Sequence, residues 1–363
     1  MHVGATLDFM HPEELATSVG RLFEKSPAFP GESLTIDLIA NPRAGGFLRP
    51  KYSKRHKADL AALEAMATAL PKRTAPTRVQ LHLTERSGHA ADIARGIVES
   101  AALEKDGRRH IVLTAGGDGT SLETASALVE LPVSERGRFS ILRLPMGTGN
   151  DGSEGRNLKV CLSRILAPMV NEPRRAIRIL PNPVGGKKPL WSFNIVSIGV
   201  DAFICRMTNR LKSIFPGDSF KFWVDVSSVF YDKIWPPEKL KLKAYDAAGR
   251  EVVSFEEVIL LCAMGVSGRR QYGSNKAILP DDDNVCEVAQ MSLFKKLAFK
   301  DLIASGRHRG LDYVRLFSAT RLIMEYPRSI LLQSEGEVTE LGVADFPLEF
   351  QLTDPIYNVL SPG

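Results

Sequence analysis

Ala115-Gly116-Gly117-Asp118-Gly119-Thr120 follows a β-branched apolar run, Ile111 to Thr114, and precedes a helical pattern. A glycine turn between a strand and a helix is where α/β proteins bind phosphate. The glycines let backbone N–H groups approach the oxygens, and the N-terminus of the next helix adds partial positive charge. An acidic residue inside such a loop repels phosphate unless a cation lies between them, so Asp118 points to a magnesium ion shared with those phosphates. Two further turns have the same design. Leu142 to Pro145 leads into Met146-Gly147-Thr148-Gly149-Asn150-Asp151, and Thr35 to Ala40 leads into Asn41-Pro42-Arg43-Ala44-Gly45-Gly46. Any one of them could serve chain reversal alone. Three loops at the ends of three strands fit the rule that open α/β sheets bind ligands at the carboxyl ends of their strands.

The rest of the chain divides around these loops. Residues 1–32 hold one helical pattern, Pro12 to Lys25, and a Pro/Gly turn, Pro27 to Gly31, and are expected to form an N-terminal extension. From residue 33 to about residue 180, strands alternate with helical stretches such as Lys57 to Leu70 and His89 to Glu104, the signature of βαβ units and a parallel sheet. Pro181 to Pro189 is rich in breakers and predicts a domain boundary. Beyond it come short β-rich runs: Trp191 to Val200, Leu240 to Tyr245, Val252 to Val266, Val285 to Met291, Ser329 to Gln333 and Leu348 to Leu352. Only two helical patterns intervene, Ser219 to Tyr231 and Lys300 to Arg307. Consecutive strands of this kind predict an antiparallel sandwich or barrel.

Composition fits a two-domain globular protein: 363 residues, 44% hydrophobic and 25% charged. Cys161, Cys205, Cys262 and Cys286 are far apart and lack Cys-x-x-Cys spacing, which argues against a disulfide framework or a zinc site. The longest apolar stretch, Val258 to Val266, is too short to span a bilayer. Acidic residues stand where a signal peptide needs basic and apolar ones, so a cytoplasmic location is expected. A net charge of +5 suits a nucleotide, an anionic lipid or a nucleic acid equally.

The order Asn41-Pro42-x-x-Gly45, Thr84-x-x-x-Gly88-His89-Ala90, Gly116-Gly117-Asp118-Gly119-Thr120 and Pro145-x-Gly147-Thr148-x-Asn150-Asp151 resembles the catalytic domain of the diacylglycerol kinase and sphingosine kinase family. The resemblance continues through Phe193-Asn194-Ile195 to Ala202, through Pro280-Asp281-Asp282-Asp283-Asn284, and through Glu335-Gly336-Glu337. It implies an α/β nucleotide-binding domain over 33–182, rejoined by a final strand at about 346–363, and an all-β, sandwich-like lipid-substrate domain over 183–345. It also implies ATP and Mg2+ as cofactors and phosphorylation of a lipid hydroxyl as the activity. Nucleotide contacts would come from Asn41, Pro42, Gly45, Thr84, Gly116, Gly117, Gly119, Thr120, Glu123, Gly147 and Thr148. The metal would be held by Asp118 and Asp151, and Asp283 would hold a second, structural magnesium. Glu337 would be the base that accepts the proton of the acceptor hydroxyl.

Plainer readings stand beside these. Glu335, Glu337 and Glu340 also read as a solvated acidic turn. Glu123 also reads as compensation of a helix dipole, and His89 as a local cap. The chain departs from the family at Leu122, where relatives carry Asn, at Leu180, where an acidic residue is common, at Asn284, usually Gly, and at Glu335, usually Asp. Gly152 to Arg156 replaces a Phe-Ala-Arg type of sequence. Phe294 to Ile303, with Arg307, His308 and Arg309, mixes apolar and basic residues as a helix at an anionic membrane surface does, or as a partly buried helix with a basic face. The expected partner is a lipid at a membrane surface, with peripheral membrane association; a homodimer is also expected, and a nucleic acid is not. Two other functions compete: a kinase acting on NAD, which shares the Gly-Gly-Asp-Gly-Thr element, and a catalytically weak, nucleotide-dependent lipid-binding or regulatory protein.

Overall fold

The computed structural model describes residues 9–104, 107–147, 150, 153–155, 157–214, 222, 225–226, 229–272 and 276–363. Two compact units emerge, residues 1–174 with 355–363 and residues 175–354.

In the first unit the alternation of apolar strands and amphipathic helices produces α1 Pro12–Phe23, β1 Leu34–Ala40, α2 Gly45–Leu48, α3 Pro50–Ala67, β2 Thr77–Leu83, α4 His89–Glu104, β3 Arg109–Gly116, α5 Asp118–Val129, α6 Val133–Arg136, β4 Phe139–Pro145, α7 Leu158–Ser163 and β5 Met169–Arg174. The six-stranded sheet runs β2-β1-β3-β4, then the C-terminal strand Tyr357–Pro362, then β5. The first four strands are parallel. The C-terminal strand lies parallel to β4 and antiparallel to β5. Strand alternation sends Leu34, Ile36, Leu38 and Ala40 to one face, where they pack with Leu113, Leu142, Leu63 of α3 and Leu162 of α7. The other face, carrying Thr35 and Asp37, lies under α4.

The expected N-terminal extension is corrected. Leu15, Val19, Leu22 and Phe23, at helical spacing along α1, are fully buried in the same core, so this helix is part of the first unit rather than an appendage.

The second unit is antiparallel throughout. Its strands are β6 Ile177–Pro181, β7 Leu190–Ser192, β8 Ile195–Gly199, β9 Lys239–Tyr245, β10 Glu251–Gly265, β11 Arg270–Tyr272, β12 Lys276–Leu279, β13 Val285–Ala289, β14 Val314–Phe317, β15 Arg321–Glu325, β16 Ile330–Ser334, β17 Glu337–Leu341 and β18 Leu348–Leu352. Helix α8, Val200–Ile214, follows β8 directly. The 15-residue β10 organises the unit. Its first half pairs with β9, and its second half pairs with β8 and β13. One strand thus feeds two stretches of an 11-stranded sheet.

Two boundaries shift from expectation. The breaker-rich stretch 181–189 connects β6 to β7 inside the second unit, and the changeover falls at Arg174/Arg175, where pairing passes from one sheet to the other. The returning segment is residues 355–363 alone, because Leu348–Leu352 pairs with β6 and β15. The helix expected at Lys300 to Arg307 spans Leu293–Ala304. The one expected at Ser219 to Tyr231 falls largely outside the described residues, and a short turn of helix at Tyr231–Ile234 follows it.

Candidate active site

Four loops leave the carboxyl ends of β1, β2, β3 and β4, and backbone hydrogen bonds lock them together. Asn41 N donates to Ala115 O at 3.0 Å, Thr84 N to Ala40 O at 2.9 Å, and Gly46 N to Met146 O at 2.8 Å. Asn150, in the left-handed region at φ 60°, holds both ends of its loop. Its Oδ1 accepts from Gly147 N at 2.7 Å, its Nδ2 donates to Gly147 O at 2.9 Å, and its own N–H donates to Asp118 Oδ2 at 3.0 Å. Asn41 Oδ1 accepts from Arg43 N at 2.9 Å, closing the first loop as an Asx turn.

Two glycines are required by close approach. A Cβ on Gly147 would lie 2.6 Å from the Gly117 Cα, and one on Gly116 would overlap the Thr120 side chain. Bare backbone from two loops therefore meets at the start of α5, whose N-cap is Gly117 and whose first residue is Asp118. Asn41, Pro42, Gly45, Thr84, Gly116, Gly117, Asp118, Gly119, Thr120 and Gly147 all lie in these loops or in the first turns of the helices that follow. Thr148 and Asp151 lie outside the described residues.

Glu123 is placed differently from expectation. Its carboxylate accepts from Gly88 N at 2.7 Å and Ala90 N at 3.2 Å, so it caps the N-terminus of α4 and anchors the Thr84 loop to α5. It acts as a positioning residue, with its carboxylate engaged by that helix end. His89 Nδ1 accepts from Glu85 N at 3.1 Å, the local capping role that the sequence allows. Within the replaced segment, Glu154 forms a part-buried ion pair with Arg143 of β4 at 2.6 Å. Sequence reasoning missed that pair; the available signal was an arginine inside an otherwise apolar strand.

In the second unit, Ser334-Glu335-Gly336-Glu337 is the tight turn of the β16–β17 hairpin, with Ser334 paired to Glu337. Glu335 and Gly336 have φ of 52° and 81°, the two positive values of a type I′ turn. Glu335 is buried, and its Oε1 accepts from Ser192 Oγ at 2.9 Å, Phe193 N at 2.9 Å and Asn194 N at 2.7 Å. The longer side chain that replaces the usual Asp thus clamps the turn to the start of β8. Gln333 Oε1 accepts from Gly336 N at 3.1 Å, and Gln333 Nε2 donates to Ser197 Oγ at 3.0 Å. Glu337 stands at the exposed side of this braced turn, and Glu340 pairs with Arg206 at 3.1 Å. Glu335→Ala leaves three donors without their acceptor and is expected to destabilise the chain by about 2–4 kcal/mol, read as a lower urea midpoint.

The acidic loop 281–283, where the resemblance implies a structural magnesium at Asp283, is held here by side-chain contacts. Asp282 pairs with Arg269 at 2.7 Å, Asp281 with Arg309 at 3.2 Å, and Asp283 Oδ1 accepts from Ser318 Oγ at 2.7 Å. The Arg269 hydrogen bond holds the Asp282 carboxyl below its ordinary value. Among the described residues, no group of three or more His, Cys, Asp or Glu side chains converges as a metal site. Arg269 and Arg309 place positive charge beside two of its carboxylates. Asn284 does not need the positive φ that its replacement of Gly suggested. It is buried, and its amide bridges Gly265 O, Ala319 O and Ala319 N at 3.2, 3.0 and 2.9 Å.

The first unit has interlocked glycine loops at its strand ends, and the second carries a braced carboxylate hairpin. Residues 36–180 match the family profile of the diacylglycerol kinase catalytic domain, and the chain carries that domain over this span. The chain is 28% identical over 191 residues to "Probable lipid kinase YegS-like" of Yersinia enterocolitica (serotype O:8 / biotype 1B), covering 52% of this chain and 57% of that relative, little more than half its length. It is 27% identical over 249 residues to the protein of the same name from Yersinia pestis strain Pestoides F, covering 68% and 77%. The fold is that of a diacylglycerol kinase crystal structure from Bacillus anthracis strain Sterne, with a TM-score of 0.53 and 16% identity over 90% of this chain and 96% of that one.

Proposed function

We propose that the protein transfers the γ-phosphoryl group of ATP to a lipid hydroxyl of the diacylglycerol or sphingosine type. The observation that carries this reading is the interlocked cluster of strand-end loops around the N-terminus of α5. Its bare backbone N–H groups suit phosphate oxygens, and the acidic side chain of Asp118 at that N-terminus suits a cation shared with them. Asn41, Pro42, Gly45, Thr84, Gly116, Gly117, Gly119, Thr120 and Gly147 line the nucleotide site in this reading; Thr148 and Asp151 complete the set by resemblance. Magnesium needs only one or two protein carboxylates beside phosphate and water, so Asp118 fits it; the ion when bound neutralises charge on the transferring phosphoryl group. Glu337 accepts the proton of the acceptor hydroxyl as its oxygen attacks phosphorus. Its braced turn keeps the carboxylate in place, and Glu123 keeps the Thr84 loop in register with α5.

The test is transfer of radiolabel from ATP, with magnesium, to a panel of diacylglycerol, sphingosine, ceramide and acylglycerol, with NAD as a further arm. Label in a lipid supports the reading. Binding of ATP without transfer to any acceptor, or transfer to NAD alone, overturns it.

The partner in this reading is a membrane surface. Among the described residues no helix is long and apolar enough to cross a bilayer. In the second unit, Phe294 is 84% exposed, and Leu293, Phe230 and Ile234 are exposed too. Asp232 ties their two helices together through Lys296 and through Gln290 Nε2 at 3.1 Å. Lys233 and Lys295 flank the apolar residues, as interfacial segments on anionic lipid require. Phe294→Asp is expected to weaken flotation with phosphatidylcholine/phosphatidylglycerol vesicles by about tenfold or more, the loss expected when one large apolar anchor is replaced by a charge. Equal flotation of both proteins would place the contact elsewhere.

A further inference from the structure

Away from the strand-end loops, the first unit contains a cavity of about 280 Å³ between the sheet and α4. Its floor is Thr35, Asp37, Gln80, His82 and His110 from β1, β2 and β3, and its roof is the inner face of α4, including Ile93, Gly96 and Ile97. It is larger than the roughly 150 Å³ apolar cavity that admits benzene.

The floor carries unusual chemistry for the middle of a sheet. Asp37 is almost fully buried and stands between two histidines. His82 Nε2 lies 3.1 Å from its Oδ1, and His110 Nδ1 lies 3.3 Å from its Oδ2. Burial pushes the Asp37 carboxyl up, and the hydrogen bonds from His110 and His82 outweigh that effect, so it is held below the ordinary carboxylate range. An ionised carboxylate accepts from both rings, so the neutral form of His110 carries its proton on Nδ1 and presents Nε2 as a lone-pair acceptor.

His110 is 3% exposed and Thr35 is 2% exposed; both line the cavity, and neither His110 Nε2 nor Thr35 Oγ1 has a hydrogen-bond partner among the described residues. Buried polar atoms are rarely left so. Thr35 and His110 are register partners on adjacent strands, so the two orphans sit side by side. Glu104 adds a second carboxylate to the lining, with Arg78 3.9 Å from it. The roof contains a helix-interior glycine, a costly residue there. A Cβ on Gly96 would meet nothing within 4 Å, so the space is kept open with no packing reason visible in the fold.

We propose that this cavity binds a small organic ammonium ion, its N–H groups donating to His110 Nε2 and Thr35 Oγ1 and its short apolar body packed on Ile93 and Ile97. The histidine nitrogen, presented as a lone pair, calls for a donor, and the two lining carboxylates, Asp37 and Glu104, favour a cation over an anion. The three floor strands are those that end in the interlocked loops, so a ligand here stabilises the scaffold of the phosphate site without touching it.

The probe is n-butylammonium chloride on the full chain, followed by calorimetry and thermal unfolding, with sodium butyrate, n-butanol and sodium chloride at matched ionic strength. A Kd on the order of 1 mM is expected for a ligand of about five heavy atoms, with a Tm rise of about 3 °C at tenfold excess. Gly96→Leu fills the cavity from a position with room for its Cβ. It is expected to fold, to keep its histidines, and to lose the response to butylammonium. Absence of binding by the native chain, an equal response to butyrate or butanol, or an undiminished response in Gly96→Leu each overturns the proposal.

Discussion

Glu337→Gln is expected to fold as the native chain does, to bind magnesium-ATP with unchanged affinity, and to lose about 10²–10⁴-fold in turnover on the acceptor lipid, the usual worth of a general base. The substitution keeps the shape of the side chain and removes only its basicity. Its turn is held by side chains of its neighbours and by backbone that the substitution keeps: Glu335 binds the start of β8, Gln333 binds Gly336, and Ser334 pairs with the backbone of Glu337. A fall in activity therefore reports chemistry rather than collapse of the hairpin. Glu340→Gln is the control in the same acidic cluster. It loses an exposed pair with Arg206, an interaction that contributes little, and stays near the native rate. Equal losses in the two variants, or none in Glu337→Gln, would remove Glu337 from the base role.

Asp118 is expected to separate into two effects. Its Oδ2 accepts from Asn150 N, which makes it a strut between two loops as well as a charge beside the phosphate site. Asp118→Ala removes both; Asp118→Asn keeps an oxygen for Asn150 and removes the charge. If the charge positions magnesium and phosphate, both variants lose about 10²–10³-fold in turnover, and both bind ATP with a reduced dependence on magnesium. If Asp118 serves only as a strut, Asp118→Asn stays near the native rate while Asp118→Ala falls. Titration of ATP binding against magnesium, run beside the turnover assay, distinguishes the two outcomes.

The α/β unit was legible from the chain because its loops have backbone requirements that few residues satisfy. Gly116 and Gly147 announce close approach, and they sit where strands end, so the sequence places them at the site without any knowledge of the sheet order. The β-rich unit was legible only as a run of strands, because the pairing of β10 with two sets of neighbours depends on contacts far apart in sequence. The same physics explains the corrections. Whether α1 is an appendage or core depends on a buried face that β1 and α3 supply. Whether Glu123 faces a ligand or caps a helix depends on Gly88 and Ala90, some 35 residues upstream. Asn284 and Glu335 read as weakened versions of a motif, yet each has a side chain long enough to make bonds of its own. A motif match ranks positions by type; the partner that defines a role is set by the fold.

The C-terminal strand lies between β4 and β5, so the edge strand β5 has no place in the sheet beneath the glycine loops until residues 357–362 arrive. During synthesis these residues leave the ribosome only after the whole of residues 175–354 has emerged. The inserted unit has all its own strands by then and can fold first, while the host sheet waits with the edge of β4 exposed. A stop codon or proteolytic cut before residue 357 would therefore injure the unit whose other strands were translated before the inserted one.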